Sequence, residues 1–322
     1  MHRSLLRILT AIQLTRLTIA FGAVSDVWLM ILLARMGSAE ASVAPVRSMP
    51  LWFALLLGAT VAVGLFAYGA SLNDVLDARH DSAFSPDRPI PAGRIRAGQA
   101  IVVTVGSLLL AILAGQAFGR VAAQITLLTA LGILFYNAAG KFIPAIGILT
   151  IGILHALQMF IPDVNIGFTL PICFAMTHGT AIALGAYILE RKRPRITNGT
   201  LAFIAIGWII ITTLIIGWGV TRGRWWPVDR SLLHLLWPLL AAVAFFFVAR
   251  WKVIGVRGSV AAEKLRRYGA MWQSLYAAMW MFALGQENEA AAFMIFAFAG
   301  FAAMTTIKEM MGQLNRPLTY RV

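Results

Sequence analysis

Ten apolar stretches, near 17–35, 51–72, 98–118, 121–139, 143–162, 166–189, 200–220, 231–249, 268–285 and 290–307, divide this chain almost end to end. Each is long enough to cross roughly 30 Å of hydrocarbon as a helix. Hydrocarbon offers backbone N–H and C=O groups no partner, so such segments must satisfy them internally, and helices do so within one segment. The fold class expected is therefore an all-α polytopic membrane protein. The last two stretches are separated only by Gln286 to Asn288. Those residues either turn the chain or interrupt one broken segment, which gives nine spans, with a tenth if they turn. A chain that is 60% apolar and 12% charged, with mean hydropathy +0.79, has no composition for a soluble core of this length. No Pro/Gly/Ser-rich linker or charge block divides it, so residues 1–322 are expected to form a single transmembrane domain.

Basic residues set the orientation, because Lys and Arg in short loops are retained on the cytoplasmic side. With the N-terminus inside, the inner segments hold 18 Lys and Arg and the outer segments hold six, leaving three in the C-terminal tail. The formal net charge of +14 is thus mainly a topology signal and calls for no nucleic-acid partner. The expectation is a multi-pass protein of the cytoplasmic (inner) membrane, with its N-terminus and charged loops in the cytoplasm. Residues 1–16, with Arg3, Arg7 and Arg16 among leucines and isoleucines, suit an interfacial helix, and no cleaved signal is expected. Trp225, Trp226 and Trp251 stand beside charged residues and read as interfacial anchors. Cys173 is the lone cysteine, so no disulfide framework is available.

Chemistry concentrates after the second span. Asn73-Asp74-Val75-Leu76-Asp77-Ala78-Arg79-His80-Asp81 places three carboxylates within eight residues. If the helix runs on, Asp74, Asp77 and Asp81 stand at i, i+3 and i+7 on one narrow face, with Arg79 on the opposite side. Stacked like charges repel, so something cationic should bind there. Magnesium is suited to the place, since it binds through one or two carboxylates while substrate phosphates and water complete its octahedron. The next segment, Ser85-Pro86-Asp87-Arg88-Pro89-Ile90-Pro91-Ala92-Gly93-Arg94, is a proline-stiffened loop with two guanidinium forks matched to phosphate oxygens. The pair of features describes a site for a lipid diphosphate with magnesium, in the charged loop 73–97.

These residues resemble the UbiA superfamily of intramembrane prenyltransferases. Asn73, Asp74, Asp77 and Asp81 match the family's NDxxDxxxD signature in full, and Asp87 to Arg94 is similar to its RPxPxGR extension. Tyr136-Asn137-Ala138-Ala139-Gly140-Lys141 is similar to a family segment that lies near the diphosphate. The resemblance implies a nine-helix bundle, with a possible tenth C-terminal helix, that transfers a polyprenyl group from an allylic diphosphate to a lipophilic or aromatic acceptor. In that reading Asp74, Asp77 and Asp81 hold Mg2+ beside Asn73, and Arg88, Arg94 and Lys141 grip the leaving diphosphate. Tyr136 faces the allylic cation, where an aromatic ring contributes about 0.5–2 kcal/mol.

The family carries a second aspartate-rich motif in the loop after the sixth span. Here that loop, 190–198, begins Glu190-Arg191-Lys192-Arg193-Pro194-Arg195, one acid and four bases. Arg191, Lys192 and Arg193 read as fixed cations that neutralise the diphosphate in place of a second metal, with Glu190, Arg191 and Lys192 expected among the substrate-binding residues, while the plain alternative is a basic topology signal touching anionic headgroups. For the acceptor, His155 and Gln158 share a helix face, with Asp26, Thr177 and His178 as further intramembrane polar groups. Helix-to-helix hydrogen bonding is the plain alternative for each. Two other functions fit parts of the pattern. A catalytically inactive isoprenoid-binding relative would keep the first motif, and a secondary transporter would place its acids near the bilayer midplane.

Overall fold

A computed structural model describes residues 14–16, 20–36, 44–86, 88–223, 226–227 and 230–315. The interfacial segment expected over 1–16 lies outside these residues except for 14–16, as do Asp87, Arg224, Trp225, Arg316 and Arg321. The described chain contains eleven α-helices and no strand. In chain order they are α1 (Phe21–Met36), α2 (Leu51–Leu76), α3 (Ala78–Phe84), α4 (Ala97–Ala117), α5 (Arg120–Ala138) and α6 (Pro144–Phe160). Then come α7 (Leu170–Leu189), α8 (Asn198–Arg222), α9 (Leu236–Val253), α10 (Gly258–Ala283) and α11 (Glu287–Asn315).

Ten of these coincide with the ten apolar stretches, and α3 is the short addition. Seven helices, among the described residues, are long and apolar enough to cross a membrane: α2, α4, α5, α7, α8, a stretch ending in α9, and the first part of α11. The chain does turn between α10 and α11, where Gly285 takes φ +71°. That left-handed conformation is open to glycine without strain. Helix starts follow local chemistry. Pro144 and Pro171 occupy first-turn positions, where a missing N–H costs nothing. The Thr197 hydroxyl accepts the Thr200 N–H at 3.1 Å and so caps α8.

Helix α1 joins two packed halves. On one side Val27 and Ile31 enter an apolar cluster with Val61 and Leu65 of α2 and Ala111 of α4. On the other, Met30 and Leu33 meet Met159 of α6, Met176 of α7 and Trp280 of α10. Small residues let the backbones approach, as in membrane helix pairs generally. A Cβ on Gly64 would sit 2.9 Å from both the Ala111 Cβ and the Ser107 carbonyl oxygen, so α2 and α4 are in close contact there. Helices α8 and α9 carry the apolar outer surface, with Phe203, Ile206, Leu214, Phe246 and Phe247 all exposed.

Two expectations are corrected. Trp226 is a core residue, 7% exposed, packed edge-on against Phe168 and donating its indole N–H to the Arg230 carbonyl at 2.7 Å. Its neighbour in the expectation, Trp251, is 68% exposed. Helix α10 begins ten residues before the apolar stretch that announced it, because Gly258 to Arg267 is helical despite its charge.

Candidate functional site

The acidic motif lies at the end of α2, but the single narrow face expected for it is broken. Helix α2 ends at Leu76, Asp77 takes φ −87° and ψ 0°, and α3 restarts at Ala78. The carboxylates divide accordingly. Asp74 and Asp81, side chains 6% and 5% exposed, converge on one Arg88 guanidinium nitrogen at 3.3 and 2.8 Å. Arg16 adds a longer contact to Asp74 at 3.5 Å. Asp77 takes Lys141 Nζ on both oxygens at 2.6 and 2.7 Å, while the Asn73 side-chain oxygen Oδ1 accepts from the same ammonium at 3.3 Å. The cations that relieve the crowded acids are therefore side chains of the protein.

Arg88 reaches back because its loop is folded into turns. Ala92 N–H donates to the Arg88 carbonyl at 2.9 Å and Arg94 N–H to the Pro89 carbonyl at 3.0 Å, with Gly93 at φ +67°. Lys141 reaches Asp77 from a short 3-10 turn, Gly140–Phe142, between α5 and α6.

A cavity of about 1050 Å³ connects this end of the bundle to its interior. Asn73, Asp77, Asp81, Arg88, Tyr136 and Lys141 line its upper wall. Glu190 and Lys192 line the facing wall, and His155 and Gln158 lie at its inner end. Asp74 is not part of the lining, and its carboxylate is taken up by Arg16 and Arg88. Arg94 and Arg191 also lie outside the lining, both exposed. Arg191 has a structural task instead. Its φ of +53° reverses the chain at the end of α7, and this turn brings Lys192 and Arg193 round to the cavity. Arg79, expected on the far side of the motif, lines the cavity mouth as well, since the break at Asp77 rotates α3.

Several lining residues lie outside the set read from the sequence. Arg266 of α10 donates to Glu190 at 2.6 Å, and Lys192 contacts the other oxygen of the same carboxylate at 2.9 Å. Burial would raise the Glu190 carboxyl, but the hydrogen bonds and charges of Arg266 and Lys192 outweigh it and hold the group below the ordinary glutamate value of 4.5. Gln273 of α10 joins His155 and Asp26 at the floor. Thr177 does not take part, as it donates to the Cys173 carbonyl and accepts from Trp208.

The lining holds seven Lys and Arg against Asp77, Asp81 and Glu190, so its upper part is net cationic and suited to a polyanion. Its donors toward a metal are hard oxygens: the Asn73 amide and the Asp77 and Asp81 carboxylates. That chemistry fits magnesium, which needs one or two carboxylates when phosphates supply the rest. Among the described residues no three His, Cys, Asp or Glu side chains converge on one point, so an all-protein cage is not what the site offers.

No family model matches the chain. The digeranylgeranylglyceryl phosphate synthase of Methanosarcina barkeri is 35% identical over 86 residues, 27% of this chain and 30% of that one. The synthase of the same name from Metallosphaera sedula is 25% identical over 245 residues, 72% of this chain and 83% of that one. A solved structure of a digeranylgeranylglyceryl phosphate synthase superposes with a TM-score of 0.57 at 17% identity, covering 88% of this chain and 99% of the other. Asn73, Asp77 and Asp81 of the acidic motif thus line the cavity of a bundle that shares the fold of that synthase. In sequence and in fold the chain is similar to digeranylgeranylglyceryl phosphate synthases.

The first acidic motif is complete in this chain, and the second one that the resemblance implies is not. Where further aspartates are expected after α7, the sole acid in residues 190–195 is Glu190, clamped between Arg266 and Lys192.

Proposed function

We propose that this chain is a UbiA-type prenyltransferase, which transfers a polyprenyl group from an allylic diphosphate to a lipophilic acceptor inside the membrane. The observation that carries the reading is the cavity itself, cationic at the loops and apolar along Leu65, Phe66, Ile133, Ile148 and Ile151. A long isoprenoid with an ionised head matches both parts. The relatives named as digeranylgeranylglyceryl phosphate synthases favour a geranylgeranyl donor and a glycerol-based lipid acceptor.

The chain's own residues divide the work. Lys141, Arg88 and Arg266 bind the diphosphate, with Lys192 and Arg193 closing the facing side. As the carbon–oxygen bond breaks, these fixed cations meet the charge that grows on the leaving group. Asn73, Asp77 and Asp81 supply the oxygen ligands for Mg2+, which when bound neutralises further diphosphate charge. Asp74 positions Arg88 rather than touching the substrate. Tyr136, on the same wall, turns its ring to the allylic carbon, and the apolar wall keeps water from the cation.

A second reading, an isoprenoid-binding protein without turnover, draws on the same ion pairs, since each acid of the first motif already has a cationic partner. One experiment separates the two. Diphosphate release from geranylgeranyl diphosphate, with candidate acceptors present, should require magnesium in the wild type and be lost in Asp77→Ala. Binding of a non-hydrolysable thio-analogue with no release under any acceptor would sink the transferase and leave the binding protein.

A further inference from the structure

The inner end of the cavity is polar, although it lies deep in the bundle. Pro144 to His155 is roughly 16 Å of rise along α6, and Arg266 to Gln273 roughly 10 Å along α10. At that depth Asp26, 4% exposed, accepts the Gln273 amide at 3.0 Å and lies 3.2 Å from His155 Nδ1. Gln158 is anchored beside them by its amide, which donates to the Ala23 carbonyl at 2.9 Å.

Helix packing alone does not account for this group. Nearby polar residues form closed pairs. Ser25 and Ser274 hydrogen-bond each other at 2.6 Å. His178 uses both ring nitrogens, one on the Gly269 carbonyl at 3.0 Å and one on the Tyr276 hydroxyl at 3.3 Å. His155 differs. Its side chain is 26% exposed and lines the cavity, Nδ1 is held by Asp26 and Gln273, and Nε2 has no hydrogen bond among the described residues. Gly179 opposite keeps that nitrogen clear, since a Cβ there would lie 2.5 Å from His155 Cδ2 and 3.2 Å from Nε2.

We propose that the Asp26–His155–Gln273 floor is a binding pocket for a neutral hydroxyl of the acceptor, received at His155 Nε2. A buried carboxylate orienting an imidazole through Nδ1, with Nε2 turned to a ligand, is an arrangement that fixes the ring for recognition. A hydroxyl both donates and accepts, so it suits either ring tautomer. An anionic group does not. The floor holds the Asp26 carboxylate and no Lys or Arg, whereas the cations stand about two helical turns above it at Arg266 and about three at Lys141. The pocket thus sorts ligands by charge along its length, with phosphates at the rim and an uncharged hydroxyl at the floor. This assignment to an acceptor rests on the prenyl-transfer reading, while the hydroxyl preference itself does not.

The test uses the full chain in lipid nanodiscs and three probes of one shape, 4-pentylphenol, pentylbenzene and 4-pentylbenzoate, titrated calorimetrically. The titrations are made with and without the thio-analogue of geranylgeranyl diphosphate filling the rim. The wild type should bind the phenol about tenfold more tightly than the hydrocarbon, the scale of one neutral hydrogen bond, and more tightly than the benzoate when the rim is filled. His155→Phe should erase that preference. Gly179→Ala, which crowds Nε2 but keeps the ring, should reduce it if His155→Phe does not fold. Equal affinity for phenol and hydrocarbon in the wild type, a preference untouched by either variant, or tighter benzoate binding would overturn the pocket. Failure of the thio-analogue to bind at all would instead strike the prenyl-transfer reading, with the phenol comparison still deciding the floor.

Discussion

Arg88→Met tests the arrangement of the acidic motif through stability alone. The arginine bridges Asp74 at 3.3 Å and Asp81 at 2.8 Å, and both carboxylates are almost fully buried. Removing one member of a buried pair costs about 3–5 kcal/mol, because a charge is left without compensation. Two facts reduce that figure here. The Arg88 side chain is 35% exposed, so water already screens part of the interaction. Asp74 also keeps Arg16, which is 42% exposed and 3.5 Å away. Asp81 loses most, since its other neighbour, His80, is 4.0 Å away and charged only when protonated. A loss of about 2 kcal/mol follows. It would be read from SDS-induced unfolding of the detergent-solubilised protein at neutral pH. A double-mutant cycle with Asp81→Asn should return a coupling of about 1–2 kcal/mol, because the double variant no longer leaves the Asp81 carboxylate buried without its cation. Magnesium should recover part of the loss in Arg88→Met and little in the double variant. If Arg88→Met unfolds with the wild type, or the two substitutions simply add, the bridge does not stabilise the motif and the argument fails.

Two further outcomes follow from geometry away from the motif. Gly152→Ala should destabilise by about 1–3 kcal/mol in the same assay, because its methyl group would run into the Thr180 hydroxyl and the Met176 carbonyl of α7. Unfolding unchanged from the wild type would show that α6 and α7 are not in the close contact described. Glu190 supplies a pH dependence. Its carboxyl is held below 4.5 in the folded state, so the unfolded chain takes up the proton first as pH falls. The stabilisation is therefore complete above about 4.5 and lost as pH drops through the lower folded value. With Arg266 38% exposed the effect should be about 1 kcal/mol after screening. Unfolding midpoints of wild type and Glu190→Gln should converge as the pH is lowered through that range, and a difference constant down to acid would refute the pairing.

The spans were legible because each carries an uninterrupted apolar run, and hydrocarbon allows such a run little but a helix. What hydropathy could not show is a helix that begins in water. The first ten residues of α10 include Glu263, Lys264, Arg266 and Arg267, yet Ala261 and Ala262 are fully buried and Arg267 stands 3.9 Å from Glu263 at i, i+4. Helical spacing was the available signal, and charge concealed it. The break at Asp77 had no signal either, since neither glycine nor proline marks it.

The two ends of the cavity differ in legibility for a physical reason. At the floor, Asp26, His155, Gln158 and His178 stood out as polar residues inside apolar runs, and Gln273 could have been added by the same rule. A polar group there has no water to turn to, so it must find a protein partner or a ligand, and sequence alone marks it as half of a contact. At the rim, water can solvate any Lys or Arg, so a basic residue there is as readily a topology signal as a ligand. Arg266 and Arg94 look alike in sequence. Only the packing of α10 against α7 puts one on the cavity, and the turns after Pro89 leave the other outside it. The rim was therefore recognisable by its spaced motif and not by its charges, and the floor by its isolated polar residues and not by any motif. Under the proposed prenyl transfer, substitutions at the floor should accordingly report on which second substrate is chosen, and those at the rim on whether the first is ionised.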